Sequence, residues 1–226
     1  MSLPPLSVVM PVLDEAAAIE ATLRRLAPLR ERGAELIVVD GGSRDDSATL
    51  ATPWADRVVR SERGRARQMN AGAAQARGAV LLFLHADTWL PPAADACILQ
   101  ALAGDAVWGR FDVQISGRPR MLRVVAALMN VRSRLSGIAT GDQAMFVRRT
   151  VFEQLGGFAE QPLMEDIELS RRLRRLGRPA CLRERVSTSG RRWESRGVWR
   201  TIVLMWWLRW RYWLGASPQA LARAYR

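Results

Sequence analysis

The first half of the chain alternates short apolar runs with segments whose composition or apolar spacing suits helices. The apolar runs at residues 6–12, 36–39, 57–59 and 80–84 indicate strands. The segments at residues 15–29, 45–51 and 68–76 lie between them and predict helices. Short strands that alternate with helices are typical of an α/β fold, so we expect a mostly parallel sheet with helices on both faces.

The second half mixes the two patterns and shows no internal repeat or low-complexity linker. Strands are predicted over residues 108–115 and 143–147, and helices over residues 120–135 and 165–176. We therefore expect one main domain over residues 1–196 and a C-terminal appendage over residues 197–226.

The appendage predicts an amphipathic aromatic helix. Five of the nine tryptophans of the chain lie between Trp199 and Trp213, and Arg209 and Arg211 lie among them. Tryptophan and arginine together suit a bilayer interface, whereas the two arginines argue against a membrane-spanning helix. Packing against the main domain, or against a second copy in a homodimer, is the alternative, and the sequence leaves this choice open.

The charged residues exclude several kinds of site. The net charge is +12 and the chain has no lysine, which excludes a P-loop lysine and a Schiff-base lysine. His85 is the only histidine, and Cys97 and Cys181 form no CxxC pair. The arginine excess fits either a GC-rich coding sequence or an anionic partner. With no leader pattern and no long apolar run, we expect a cytoplasmic protein, at the inner face of the membrane if the appendage binds lipid.

Carboxylates follow the ends of three predicted strands, and two more open a late helix. These residues are Asp14 and Glu15, Asp40, Asp87, and the pair Glu165 and Asp166. Each carboxylate alone is as typical of a helix cap or a turn. In parallel sheets, however, ligands bind beyond the carboxyl ends of the strands. The set therefore predicts a shared crevice, and it suits a site that binds a diphosphate through a divalent metal, which needs hard oxygen ligands and has a use for a separate carboxylate base.

An arginine-rich loop precedes the predicted helix at residues 68–76. Arg63, Arg65 and Arg67 flank Gly64, and Asn70 follows on the helix. Guanidinium groups pair with phosphate oxygens in a bidentate manner, so the loop is a candidate for binding a diphosphate or nucleoside. A solvated surface loop is the alternative.

Five motifs occur in a fixed order along residues 6–193. They are PVLDE at 11–15, VVDGGSRDD at 38–46, GRARQMN at 64–70, LHADT at 84–88 and MEDI at 164–167. The series resembles the family 2 glycosyltransferases, which have a GT-A fold. The strings GRARQMNAG, FLHADT and SGRRWESRG resemble a small bacterial subgroup described as selenodomain-associated transferases.

The resemblance implies a nucleotide-sugar donor and assigns residues to it. Asp40, followed by Gly41, matches the aspartate that contacts the nucleobase, either uracil or guanine. Pro11, Asp14 and Glu15 match the segment beside the nucleoside. The segment that lies beneath the donor sugar corresponds to Gly141, Asp142 and Gln143.

The resemblance also implies a metal and a base. Asp87 matches the last aspartate of the DxD motif, which binds Mg²⁺ or Mn²⁺ on the diphosphate, and His85 replaces the first aspartate. A histidine there can bind manganese, donate a hydrogen bond to phosphate, or serve only as a strand-end residue. Asp166 matches the base that deprotonates the acceptor in an inverting displacement, and Glu165 is its rival. The acceptor is expected to present a hydroxyl or a phosphate, and a lipid-linked one such as a polyprenyl phosphate or a glycolipid fits the appendage.

Two other classes of protein compete with this interpretation. A sugar-phosphate nucleotidyltransferase usually carries a G-x-G-x-R signature with a lysine, and this chain has neither the lysine nor that signature after its first strand. A non-catalytic basic module would bind nucleic acid or membrane through its charge, but no helix-turn-helix, RRM or zinc pattern is present, and no specific nucleic-acid partner is expected.

Overall fold

The computed structural model describes residues 4–225. The strands are β1 (Leu6–Val12), β2 (Glu35–Asp40), β3 (Arg57–Arg60), β4 (Val80–Phe83), β5 (Thr88–Trp89), β6 (Trp108–Ser116), β7 (Phe146–Arg148) and β8 (Ala180–Ser189). The helices are α1 (Ile19–Glu31), α2 (Ser47–Ala51), α3 (Arg65–Gln75), α4 (Ala94–Ala101), α5 (Met121–Ser136), α6 (Arg149–Gln154), α7 (Glu165–Leu176), α8 (Arg191–Arg196), α9 (Val198–Trp213) and α10 (Pro218–Tyr225). A 3₁₀ turn, Gly141–Gln143, precedes β7.

All eight strands form one sheet in the order β3-β2-β1-β4-β7-β6-β8-β5. Strands β3, β2, β1 and β4 are parallel, as predicted. Strand β7 runs against both β4 and β6, while β8 runs parallel to β6. Because two reversals restore the direction, β6 and β8 point the same way as β1, β2 and β4.

Alternate residues of the central strands bury themselves on opposite faces of the sheet. On β1, Val8 and Met10 join one apolar cluster with Leu23 of α1, whereas Val9 joins the other with Met69 and Ala73 of α3. Side chains of a strand alternate in direction, so both faces need a covering layer. The predicted α/β fold with helices on both faces is what the structure has.

Several elements differ from the prediction. The strand expected at 143–147 begins only at Phe146, because residues 141–143 form the 3₁₀ turn. Strand β8 has no continuous apolar run, since its charged middle is exposed, and the sequence pattern therefore missed it. The helices α4, α6 and α8 were also not predicted.

The C-terminal appendage consists of two helices rather than one. Gly215 has a φ of +89° and separates α9 from α10. Leu208 of α9 and Leu221 of α10 are buried in a third apolar cluster with Leu163 and Met164, which immediately precede α7. The appendage thus packs on the segment that leads into the predicted base. In the chain from residue 4 to residue 225, no helix is long and apolar enough to cross a bilayer.

Candidate active site

The strand directions bring most of the predicted site residues to one edge of the sheet. Strands β1, β2 and β4 end there, and so do β6 and β8, because they run the same way. Strand β7 runs in the opposite direction, so the 3₁₀ turn that precedes it lies at the same edge. The backbone N–H of Ser189, at the end of β8, donates to the carbonyl of Asp87 (3.1 Å). This bond joins the end of β8 to the segment that follows β4.

Asp40 organises the loop that follows β2. Its buried carboxylate accepts hydrogen bonds from the backbone N–H groups of Gly42 (3.2 Å) and Ser43 (3.1 Å). The Ser43 hydroxyl in turn accepts the N–H of Asp14 (3.0 Å), whose carboxylate accepts the N–H of Arg44 (2.8 Å). Asp14 has a φ of +53°, a conformation that non-glycine residues seldom adopt. The two loops after β1 and β2 are thus tied together.

A glutamine of α3 lies beneath these loops. The Gln68 side-chain amide donates to the carbonyls of Val12 (2.8 Å) and Val39 (2.9 Å), at the ends of β1 and β2. A Cβ on Gly41 would lie 2.8 Å from Gln68 Cδ, so a larger residue there would displace the amide from these two carbonyls. The Gln68 amide therefore fixes the backbone of the predicted nucleoside site through these two hydrogen bonds.

Glu15 lies between the predicted metal ligand and the end of β8. Its carboxylate is 3.6 Å from the Arg191 guanidinium, and its backbone N–H donates to Ser47 Oγ (2.8 Å). Partial burial raises the pKa of Glu15, and the negative charge of Asp87 raises it further, while Arg191 opposes both. Glu15, Asp87 and Arg191 are therefore electrostatic neighbours.

His85 packs on the 3₁₀ turn. Its Nδ1 lies 3.6 Å from Asp142 Oδ1, and a Cβ on Gly141 would lie 2.5 Å from the imidazole Cε1. Burial would raise the pKa of Asp142, but the facing imidazole and the charges of Arg65 and Arg192 outweigh burial and lower it. The turn thus presents an ionised carboxylate among cationic groups.

Glu165 and Asp166 open α7 directly behind the same turn. The Asp166 carboxylate accepts the N–H of Gly141 (2.9 Å) and the N–H of Ile167 (2.7 Å). Burial raises the pKa of Asp166. Glu165 is only 5% exposed, and burial followed by the Asp166 charge raises its pKa as well. Residue 166 is half-buried whereas Glu165 is buried, and the Asp166 carboxylate is fixed to the turn beside His85.

Met164, which precedes this pair, has a φ of +67°. A non-glycine residue in this region costs about 1–3 kcal/mol and persists only where its surroundings hold it. Its side chain is buried in the cluster with α9 and α10. The C-terminal helices therefore help to hold the start of α7.

Two residues predicted for the donor, Arg67 and Asn70, have partners within the protein. Arg67 pairs with Glu62 and with Glu160 (3.3 Å). The Asn70 amide donates to the carbonyl of Phe158 (2.8 Å) and accepts its N–H (2.9 Å). These contacts give both residues a role in attaching α3 to the loop before α7.

Three more residues predicted for the donor differ in their burial. Gln143 and Pro11 belong to packed elements of the fold, whereas Arg63 is exposed to solvent. Gln143 is fully buried, and its side chain caps the 3₁₀ turn together with Thr140. Pro11 lies inside β1, paired with Val39 of β2. Arg63 is exposed on the loop before α3.

One arginine of the site was not assigned to it from the sequence. Arg192, on α8, interacts electrostatically with Asp142, Asp87 and Arg65, and burial is the main reason that its pKa is lowered. The guanidinium also lies 4.7 Å from the centre of the Tyr225 ring. Its only sequence signal was its place in the string SGRRWESRG, which the resemblance to the bacterial subgroup includes.

The predicted metal ligands fit a cation that the substrate helps to hold. Within residues 4–225, no three His, Cys, Asp or Glu side chains are grouped so that they hold a metal ion by themselves. Magnesium commonly binds through one or two carboxylates together with substrate phosphates and water. Asp87, at the end of the sheet beside Glu15 and Arg192, suits such a partial set of ligands.

Residues 7–156 match the family model described as Glycosyl transferase family 2, and the chain belongs to this family. The resemblance and the class of enzyme that it implied, a glycosyltransferase, are thereby confirmed. The narrower resemblance to the selenodomain-associated subgroup stays a prediction.

Two relatives illustrate the extent of the similarity. The probable glycosyltransferase YdaM of Bacillus subtilis (strain 168) is 26% identical over 201 residues, which are 77% of this chain and 48% of that protein. The undecaprenyl-phosphate 4-deoxy-4-formamido-L-arabinose transferase of Pseudomonas paraeruginosa (strain DSM 24068 / PA7) is 37% identical over 97 residues, 38% of this chain and 29% of that protein. The chain therefore spans about half the length of the first relative and less of the second.

Among solved structures, the mannosyltransferase PcManGT from Pyrobaculum calidifontis, in complex with GDP-Man and Mn²⁺, aligns with a TM-score of 0.69. It is 20% identical, and the alignment covers 99% of this chain and 69% of that one. Such a likeness shows the fold, and it confirms the predicted GT-A-like architecture.

Proposed function

We propose that the protein transfers a sugar from a nucleotide-diphosphate sugar to an acceptor hydroxyl or phosphate, with inversion at the anomeric carbon. The observation that carries the proposal is the position of Asp166. Its carboxylate is fixed to Gly141 at the edge of the sheet, next to His85 and Asp142, where the loops after β1, β2 and β4 also end.

The donor is expected to lie across the loops after β1 and β2. Asp40 keeps the nucleoside loop in shape, and Glu15 is available for a base N–H or a ribose hydroxyl. Arg65 and Arg192 supply positive charge near Asp142 for the diphosphate. Asp87, with His85 beside it, would hold Mg²⁺ or Mn²⁺, which would neutralise charge on the leaving diphosphate. Either UDP or GDP fits this description.

Asp166 is the proposed base for a hydroxyl acceptor. It accepts the hydroxyl proton while the acceptor oxygen bonds to the anomeric carbon and the bond from that carbon to the diphosphate oxygen breaks. Attack on the face opposite the leaving group inverts the configuration. The raised pKa of Asp166 supports this role. A general base works best when its pKa is close to the pH at which the enzyme operates, and a raised pKa brings a carboxylate nearer to neutral pH.

We further propose a lipid-linked acceptor, presented at an anionic membrane surface. The exposed face of α9 forms an aromatic stripe, defined by Trp199, Val203, Trp206, Trp207, Trp210 and Trp213. No acidic residue occurs from Gly197 to the end of the chain. Aromatic side chains with arginines and no opposing acids suit the headgroup region of an anionic bilayer. The name of the Pseudomonas relative specifies undecaprenyl phosphate for that protein.

A groove that three stripe residues help to line supports the same acceptor. It has a volume of about 690 Å³ and is lined by Arg196, Trp199, Arg200, Thr201, Val203, Leu204, Trp207, Ala224 and Tyr225. Tyr225 stacks with Arg192, which faces Asp142 and Asp87. One lining residue, Tyr225, thus contacts an arginine of the site, and an isoprenoid chain is the proposed occupant of the groove.

The test separates donor binding from transfer. The wild-type melting temperature should rise with UDP- or GDP-sugars in the presence of Mn²⁺, since a ligand of the native state stabilises it. Asp166→Asn should keep this rise but lose transfer by roughly 10²–10⁴-fold, the usual contribution of a general base. Asp105→Asn, on an exposed loop, is the matched control. Normal transfer by Asp166→Asn would disprove the base, and a wild type that no nucleotide-sugar stabilises would favour the basic binding module.

A further inference from the structure

Arg132, near the end of α5, has half of its guanidinium buried without a partner. Its Nε and Nη2 atoms are covered and have no hydrogen-bond acceptor among residues 4–225. These two nitrogens lie on the same edge of the guanidinium plane, the edge that presents two parallel N–H groups. Buried polar atoms in native proteins nearly always have partners, so an open edge of this kind calls for an explanation.

The neighbouring arginines show that the fold can satisfy such groups. Arg110 is fully buried, yet it donates to Ser133 Oγ (3.1 Å), to Asp112 and to the Asn130 carbonyl (3.2 Å). Arg134 donates to Asp112 (2.7 Å) and to the carbonyl of Cys181 (3.1 Å). Arg132, on the same helix as Arg134, has no acceptor for its Nε and Nη2 atoms.

Arg132 is close to the proposed base. Asp166 is the carboxylate whose charge acts on it. After α5 the chain passes through Ala139, whose N–H donates to Ser170 of α7 (3.1 Å), to Gly141, whose N–H is held by Asp166. Asp166 accepts hydrogen bonds from the backbone N–H groups of Gly141 and Ile167, and no hydrogen bond joins it to Arg132 Nε or Nη2.

We propose that the Nε–Nη2 edge of Arg132 binds a phosphate monoester of the acceptor, beside Asp166. The sugar transfer that would follow rests on the proposed function, whereas phosphate binding rests on this geometry alone. Two parallel N–H donors match two oxygens of a phosphate. No hydrogen bond holds the edge in its covered position, so the side chain can turn toward a ligand without breaking one.

The charge needed for such a site is retained. Burial lowers the pKa of Arg132 to about 10, with the charge of Arg110 acting in the same direction and that of Asp166 opposing it. A guanidinium with that pKa is still protonated at neutral pH. Arg132 therefore supplies both the charge and the geometry for a dianionic group.

Binding is measured with two probes that distinguish the source of the phosphate. One is glycerol 3-phosphate in solution, followed by titration calorimetry. The other is phosphatidylcholine vesicles with and without farnesyl phosphate, followed by co-sedimentation. Arg132→Gln should weaken binding of at least one probe by about tenfold or more, as expected when a bidentate charged pair is lost. Arg132→Lys, which keeps the charge but not the fork, should fall between.

The matched control is Arg123→Gln, the same change at an exposed arginine of the same helix. It should leave the binding of both probes within about twofold. Loss with glycerol 3-phosphate identifies a soluble acceptor, and loss confined to the farnesyl phosphate vesicles identifies a lipid. Unchanged binding of both probes by Arg132→Gln, or an equal loss in Arg123→Gln, would overturn the proposal.

Thermal unfolding separates this proposal from a structural role. Arg132→Gln should not lower the melting temperature, because no hydrogen bond of Nε or Nη2 is lost. A lower melting temperature with unchanged phosphate binding would assign Arg132 to support of Asp166 instead. Nucleotide-sugar stabilisation of the wild type is measured separately, so its failure would remove the transferase proposal and leave the phosphate result standing.

Discussion

Glu165 and Asp166 are adjacent carboxylates in the first turn of α7. A helix N-terminus favours negative charge, yet burial raises the pKa of both groups, and the Asp166 charge is the second reason for the rise at Glu165. Asp166 is anchored by two backbone N–H groups, whereas Glu165 is nearly fully buried. At this scale the two residues divide into an anchored candidate base and a buried carboxyl group whose charged form is disfavoured by burial.

The difference predicts a stabilising substitution. A carboxyl whose folded-state pKa is raised binds its proton more tightly when folded, so stability is lost as pH rises through that pKa. Glu165→Gln removes the charge and should raise the free energy of unfolding at neutral pH by on the order of 1 kcal/mol. The gain should vanish below the ordinary glutamate pKa of about 4.3, where the wild-type carboxyl is protonated.

Urea unfolding at the two pH values checks this expectation. Glu168→Gln is the control on the same helix, because it removes an ion pair with Arg172 (2.5 Å) instead of a repulsion. It should lower stability by at most about 0.5 kcal/mol at neutral pH. A Glu165→Gln variant that is less stable than wild type at neutral pH would show that the carboxylate is favourably paired.

Helix α3 packs on the sheet and helps to position the loops that follow β1 and β2. It can approach closely because Gly72 faces the fully buried Val9 and Val39, and the same helix carries Gln68 to the ends of β1 and β2. A Cβ on Gly72 would lie 2.5 Å from Val9 Cγ1 and 2.8 Å from Val39 Cγ2. The separation between helix and sheet is thus coupled to the loop after Asp40.

Gly72→Ala should therefore destabilise the protein by about 1–3 kcal/mol, the usual cost of overpacking a core. It should also weaken nucleotide-sugar binding, since Gln68 would be displaced with the helix. Gly104→Ala is the matched control, because a Cβ at that position would have nothing within 4 Å, and the change should be neutral or slightly stabilising. Equal melting temperatures for the two variants would contradict the close approach.

The whole molecule carries a second exposed apolar stripe besides the aromatic stripe of α9. On α5, Val124, Leu128, Val131 and Leu135 recur at helical spacing and are all exposed. No acidic residue occurs between Ser116 and Gly141. Two such helices on a chain of net charge +12 support the proposed attachment to an anionic membrane.

Vesicle co-sedimentation tests this attachment. The double variant Trp206→Gln and Trp213→Gln changes side chains that are 72% and 76% exposed, so folding should be unaffected. Binding to vesicles that contain phosphatidylglycerol should fall by about tenfold, and binding of the wild type should weaken as salt is added. Trp89→Gln, an exposed tryptophan outside α9, is the control. Unchanged vesicle binding together with loss of a dimer in sedimentation velocity would assign the stripe to subunit contact.

The sequence predicted the parallel half of the sheet well because that half is encoded locally. Strands β1, β2 and β4 are buried and mostly apolar, and an aspartate lies at the end of each strand or within four residues after it. A strand that is buried on both faces of the sheet must be apolar along its length. The acidic residues mark the carboxyl ends of the strands, where ligands bind in such sheets. Strand β8 lacked this signal because it is charged in its middle, and α4, α6 and α8 are too short to show a clear period.

By itself the sequence determined the fold class, the family and the set of carboxylates at the strand ends, since these depend on short-range pattern. Only the tertiary structure decided which arginines and amides face the site. Arg192 arrives because β8 runs parallel to β6, and Arg67 and Asn70 are instead engaged by the distant Glu160 and Phe158. Arg132 Nε and Nη2 have no acceptor, whereas Arg110 and Arg134 share Asp112. Such outcomes depend on strand order and on competition for hydrogen-bond partners far apart in the chain, which local periodicity does not record.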